Sequence, residues 1–180
     1  GYEITGRPGD VHVDAGALKS SAHAKVSCVS CHLGSQRLPH PERLPAVDCA
    51  RCHRAAADTL RGGAHAAVSR DSRNPCVTCH GTHSVRRAAT IGDRACAPCH
   101  QAEVREYEGS VHGVALANGD PEASTCEDCH GKAHSVVGVH DPRSSVSHEN
   151  LAATCARCHA DRDLVVRRKI TIPEAFTLYA

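Results

Sequence analysis

All twelve cysteines of the chain fall in six copies of one five-residue pattern, Cys-x-x-Cys-His. The copies are Cys28, Cys31, His32; Cys49, Cys52, His53; Cys76, Cys79, His80; Cys96, Cys99, His100; Cys126, Cys129, His130; and Cys155, Cys158, His159. Two cysteines at this spacing can form thioether bonds to both vinyl groups of one haem, and the histidine that follows is then held beneath the ring as an axial iron ligand. Six copies predict six covalently attached haem c groups. The same cysteine pair is also half of a zinc site or a redox dithiol. Zinc knuckles, however, have no reason to put His after the second Cys every time, and a redox protein rarely carries six dithiols with none to spare.

The histidines outside the motifs decide what happens on the other face of each iron. The chain has 15 histidines and no methionine, so His/Met ligation and the high potentials it favours are excluded. Nine histidines remain after the six proximal ones, and six of these recur by position: His23, His40, His65, His83, His112 and His134. These are the expected distal ligands, with His12, His140 and His148 in reserve. A solvated or propionate-bonded imidazole is the plainer reading for any one of them. His83 follows His80 by three residues, too close to cross the same ring, so it is expected on the iron of a neighbouring haem.

The elements that position these groups repeat as well. Single-domain organisation over 1–180 is expected, with dihaem modules at about 20–60, 61–108 and 109–165 and a C-terminal tail over 166–180. The first cysteines of paired motifs lie 21, 20 and 29 positions apart. His53 to His65 and His100 to His112 are each twelve apart, across stretches rich in helix formers and free of Pro. A helix there would separate the two histidines by about 18 Å and offer its far one to a different haem. Gly62, Gly63 and Gly109 mark where such helices should stop. Val165 to Ile172, rich in β-branched residues, suits an extended tail lying on a neighbour.

Composition leaves little from which to build an ordinary core. There is no Trp, one Phe and three Tyr in 180 residues. At about thirty residues per haem, the apolar macrocycles must supply most of the buried surface. The expected fold is therefore mostly irregular with short α-helices, a multihaem cytochrome c fold organised around a stacked haem chain, and the apo chain is not expected to fold. The formal charge of +1 becomes about −11 if two propionates on each of six haems are ionised. Of 21 basic residues only four are Lys. Arg pairs carboxylates through two bonds and suits propionates, although an Arg-rich composition also follows from genome bias. No basic block with interleaved aromatics supports nucleic-acid binding. No apolar run reaches the roughly 18 to 20 residues of a transmembrane span, and no signal peptide begins at Gly1. The chain thus reads as a processed, exported segment, extracellular or periplasmic.

The run Tyr107-x-x-Ser110-x-His112-Gly113, then Cys126 to His130 with Gly131 and a further His, then Asp141-Pro142-x-Ser144, resembles multihaem c-type cytochromes of metal- and sulfur-cycling bacteria. So does the run Ser-x-His, motif, His-Pro, motif over residues 21 to 53. The resemblance covers about residues 20 to 180 and implies bis-histidine haems, parallel and crossed ring stacking, and electron transfer out of or along the cell envelope. Gly131-Lys132-Ala133-His134 is one residue longer than Gly81-Thr82-His83, which leaves His140 or His148 as substitutes for His134.

Three function classes follow. Six six-coordinate haems would form an electron conduit, an electron carrier rather than an enzyme, serving redox partner proteins or extracellular acceptors. A reductase of nitrite, hydroxylamine or a sulfur oxyanion would need an iron with an exchangeable position and nearby acid, base or cationic groups, and no motif differs from the others in its ligand. Haems as purely structural staples are the third class. His12 is surplus to the internal count, and the chain stops short of where a further ligand would fall after Tyr179. The natural polypeptide either continues into further modules or meets another copy head to tail, a heterologous contact that generates a filament.

Overall fold

The computed structural model describes residues 13–39, 41, 43–71, 74–86 and 95–170. Among these residues there is no β-strand; short helices are joined by turns. They are α1 (Ala15–Ser20), α2 (Cys28–Cys31), α3 (Arg54–Gly62), α4 (Ala66–Asp71), α5 (Cys76–His80), α6 (Gln101–Glu108), α7 (Val111–Ala117), α8 (Cys126–His130), α9 (Leu151–His159) and α10 (Arg162–Arg168), with a 3₁₀ turn at Cys49–Arg51. None is long and apolar enough to cross a membrane.

Helices this short are marginal by themselves, and side-chain caps hold the first turns of α1, α7, α8 and α10. Asp14 accepts from the amides of Gly16 and Ala17 at 2.7 and 3.1 Å. Ser110 accepts from Gly113 at 3.2 Å, and Asp161 accepts from Asp163 and Leu164 at 3.0 and 3.1 Å. Thr125 and Asp128 form a capping box at the start of α8. The two linking helices stop where glycine was expected to stop them, α3 at Gly62 and α6 just before Gly109.

The chain divides into two compact units, Gly1–Cys49 with Arg73–Ala95, and Ala50–Ser72 with Cys96–Ala180. In the first, Ala22 donates its amide to Val85 O at 2.7 Å. In the second, two glycines permit close backbone approaches. A Cβ on Gly63 would stand 2.9 Å from Val136 O and 3.0 Å from His134 O, where the neighbouring Ala64 amide donates to Val136 O at 2.7 Å. A Cβ on Gly113 would run into Tyr107 O and lie 2.7 Å from Glu108 Cα, so only glycine lets α7 fold back on the end of α6.

No large side chain is fully buried among the described residues, whereas Leu38 and Val111 are 84% and 81% exposed. The buried polar residues are Ser21, Ser144 and Ser147. The described residues therefore form no apolar core of their own, in keeping with the composition. The first part of the expected extended stretch departs from expectation, while Thr171 and Ile172 lie outside the described residues. Val165 to Arg168 are helical, not extended, because Asp161 caps α10 and Arg167 and Arg168 are paired with Glu122 and Asp120 at 2.6 to 2.7 Å. Lys169, at φ 51°, ends the helix.

Candidate haem sites

Each motif places its cysteines on one turn of backbone, so both sulfurs emerge on the same side. Three motifs make a helical turn of their own, α2, α5 and α8, and a fourth ends α9. At Cys49 the turn is 3₁₀, and over Cys96–Cys99 it closes with His100 N donating to Cys96 O at 3.0 Å. In these last two motifs the histidine is itself the N-cap of the next helix, His53 for α3 and His100 for α6. After His80 and His130 the chain instead leaves through Gly81 and Gly131 at φ 74° and 83°, a left-handed conformation suited to glycine. None of the twelve cysteines is joined in a disulfide. Among the described residues no three His, Cys, Asp or Glu side chains gather as a metal centre.

The histidine rings supply the decisive geometry. His32 and His83 stand 5.9 Å apart between ring centres, His65 and His100 6.2 Å, and His112 and His159 6.1 Å. Their planes make angles of 31°, 68° and 90°. Two imidazoles on opposite sides of one iron stand about 6 Å apart, given metal–nitrogen bonds of roughly 2 Å. Each pair joins one motif histidine to one of the expected distal residues, at a separation that would accommodate an iron between the two rings. His83 meets His32, a histidine of a different motif from its neighbour His80.

Supporting groups orient these ligands. Ser124 Oγ lies 3.1 Å from His112 Nδ1, leaving Nε2 for a metal, and Tyr107 donates its hydroxyl to Ser124 O at 2.5 Å. His23 N donates to Ser21 Oγ at 3.1 Å. His23, His53, His80 and His134 are not without partners. His130, His140 and His148 take no part in the three pairs above. His40 and the reserve His12 lie outside the described residues.

Neighbouring motifs also touch. Asn74 bridges Cys49 and Cys76. Burial, and then the charge of Cys49, push the Cys76 thiol up. In the second unit burial, and then Cys155, push the Cys129 thiol up. There Ser145 donates to Cys129 O, Arg157 to Asp128 O, and Thr154 to Ser145 O at 2.6 Å. Asn74, Ser124 and Ser145 were not singled out from sequence; each is a small polar residue in a loop, just outside the motif beside it.

A family model, the class III cytochrome c family, matches residues 8–100. The chain belongs to that family. The match takes in the first four motifs and leaves two beyond it. No match was found among curated proteins or among solved structures. Membership makes this a multihaem c-type cytochrome, an electron-transfer protein with covalently bound haem c and redox partners, whose haem is attached outside the cytoplasm. Paired cysteines on one turn, a histidine directly after them and opposed imidazoles with room for an iron all fit that group. When bound, it supplies one-electron chemistry; the paired cysteines would hold it covalently and the histidines would ligate its iron.

Proposed function

We propose that this cytochrome carries six haems, one for each Cys-x-x-Cys-His motif, all bis-histidine, and works as an extracytoplasmic conduit that passes electrons from haem to haem. The three opposed histidine pairs carry this reading. On this reading His83 belongs to the haem of Cys28 and Cys31, His65 to that of Cys96 and Cys99, and His112 to that of Cys155 and Cys158. The haems at Cys49 and Cys52, Cys76 and Cys79, and Cys126 and Cys129 take His53, His80 and His130 below the ring. Their distal ligands come from His23, His40 and His134, with His12, His140 and His148 in reserve. Each linking helix thus starts at the proximal ligand of one haem and leads to the distal ligand of the next but one, α3 to His65 and α6 to His112. A chain with no apolar core is organised by such ligation, because each assigned bond closes a loop of 35 to 51 residues.

With both axial positions filled, no iron is open to a small oxyanion, which separates the conduit from a reductase. The surplus His12 favours assembly of copies head to tail into a filament, with iron ligated across the boundary. Intact mass and light scattering of the native protein test both parts. The expected result is a polypeptide plus six haems and a particle size that grows with concentration. Fewer haems contradict the assignment, and a monomer at every concentration contradicts the filament.

A further inference from the structure

Asn74 belongs to no motif, yet its half-buried side chain uses every polar group it has. Nδ2 donates to Val47 O at 3.0 Å and lies 3.4 Å from Cys49 Sγ, while Oδ1 accepts the Cys76 amide at 3.3 Å. Its two N–H groups therefore grip the segment that enters the second motif, and its carbonyl grips the first turn of α5, which carries the third. The Cys49 thiol here stands in for the thioether sulfur it becomes on haem attachment. A thioether keeps its lone pairs and loses its hydrogen, so the Nδ2–H to sulfur contact survives attachment, whereas the thiol's own contact to Oδ1, at 3.6 Å, does not. Cys49 is also close enough to Cys76 to raise its thiol pKa.

We propose that Asn74 is a positioning residue that sets the spacing between the haem-bearing sulfurs of Cys49 and Cys76, and through it the electronic coupling of the two haems they carry. This rests on the reading that both motifs are loaded. The plainer role, capping α5, needs only Oδ1; the clamp needs the N–H groups as well. Asn74→Asp keeps the first and replaces the second with a carboxylate facing a carbonyl and a sulfur, and Asn74→Ala removes both.

The experiment is Soret circular dichroism of the fully matured protein and both variants, with peptide mass analysis of haem attachment. Coupled haems give paired lobes of opposite sign that depend on their mutual distance and angle. The inference predicts that wild type minus either variant leaves such a two-signed difference, at unchanged haem content and unchanged low-spin absorption. A spectrum of Asn74→Asp that superposes on wild type would reduce Asn74 to a helix cap and overturn it. Failure of both variants to acquire haem would also overturn it, making Asn74 a determinant of maturation. If Asn74→Ala alone fails, Asn74→Asp decides. Wild type lacking haem at Cys49 or Cys76 would instead overturn the loading on which the inference rests.

Discussion

The motif pair at Cys126 and Cys155 and the pair at Cys28 and Cys49 do the same local chemistry on different scaffolding. Between Cys126 and Cys155 the loop is its own lattice. Asn150 Nδ2 donates to Pro142 O and Ser144 O at 2.8 and 2.9 Å, Thr154 and Ser145 connect α9 to the backbone of α8, and Glu127 accepts from Lys132 and the Ala133 amide at 3.0 Å. Among the described residues around Cys28 there are short-range side-chain bonds, Ser27 with Ser30 at 2.7 Å and Ser35 donating to His32 O at 2.7 Å. The ties that reach further run to Val85 and Asn74, beyond the next motif. Spacing accounts for the difference: 29 positions between first cysteines leave room for a stitching loop, and 21 do not. A polypeptide without an apolar core is stitched by polar groups where it has length to spare, and elsewhere depends on distant segments and on its cofactors.

Ligand removal should break that contrast most severely. His83→Ala and His112→Ala are each expected to convert one haem of six to high-spin, visible by electron paramagnetic resonance. For His83→Ala the affected haem is the one at Cys28 and Cys31, so the signal should vanish when those cysteines are also replaced. Persistence of the signal would place His83 on another iron. Because the region around Cys28 has fewer ties of its own, amide exchange should rise further there after His83→Ala than around Cys155 after His112→Ala.

A smaller effect concerns α10. Arg167 and Arg168 hold the Glu122 carboxyl down to about 2 from an ordinary 4.5. A carboxyl depressed by folding stabilises fully above its unfolded value, and the contribution is lost as pH falls toward the folded one. Protection of residues 162–168 should therefore fall between about pH 4.5 and 2, and Glu122→Gln should flatten that slope. The change is modest because exposed ion pairs are screened by solvent. An identical slope in both proteins would remove Glu122 from the anchor.

The candidate sites could be named from the sequence because each motif is five adjacent residues, and His65, His83 and His112 stood out by their place in the repeat. Their partners did not, since 35 to 51 residues separate each pair and no periodicity spans such distances. The linking helices were legible from composition and their glycine stops. The helix over 162–168 was missed because Val165 and Val166 favour strands, while the Asp161 cap and the Glu122 ion pairs override that preference. Asn74 could not be found from sequence, as its role exists only when the second motif's approach and the third motif's first turn come together.

The claim that every iron is closed by two histidines is tested most directly by counting spins in the oxidised protein and adding carbon monoxide to the reduced one. The account predicts low-spin ferric signals that integrate to six haems per chain, with slow or absent carbon monoxide binding. A high-spin signal near one haem per chain, with rapid stoichiometric binding at that iron, would contradict it and mark a site where a reductase could work.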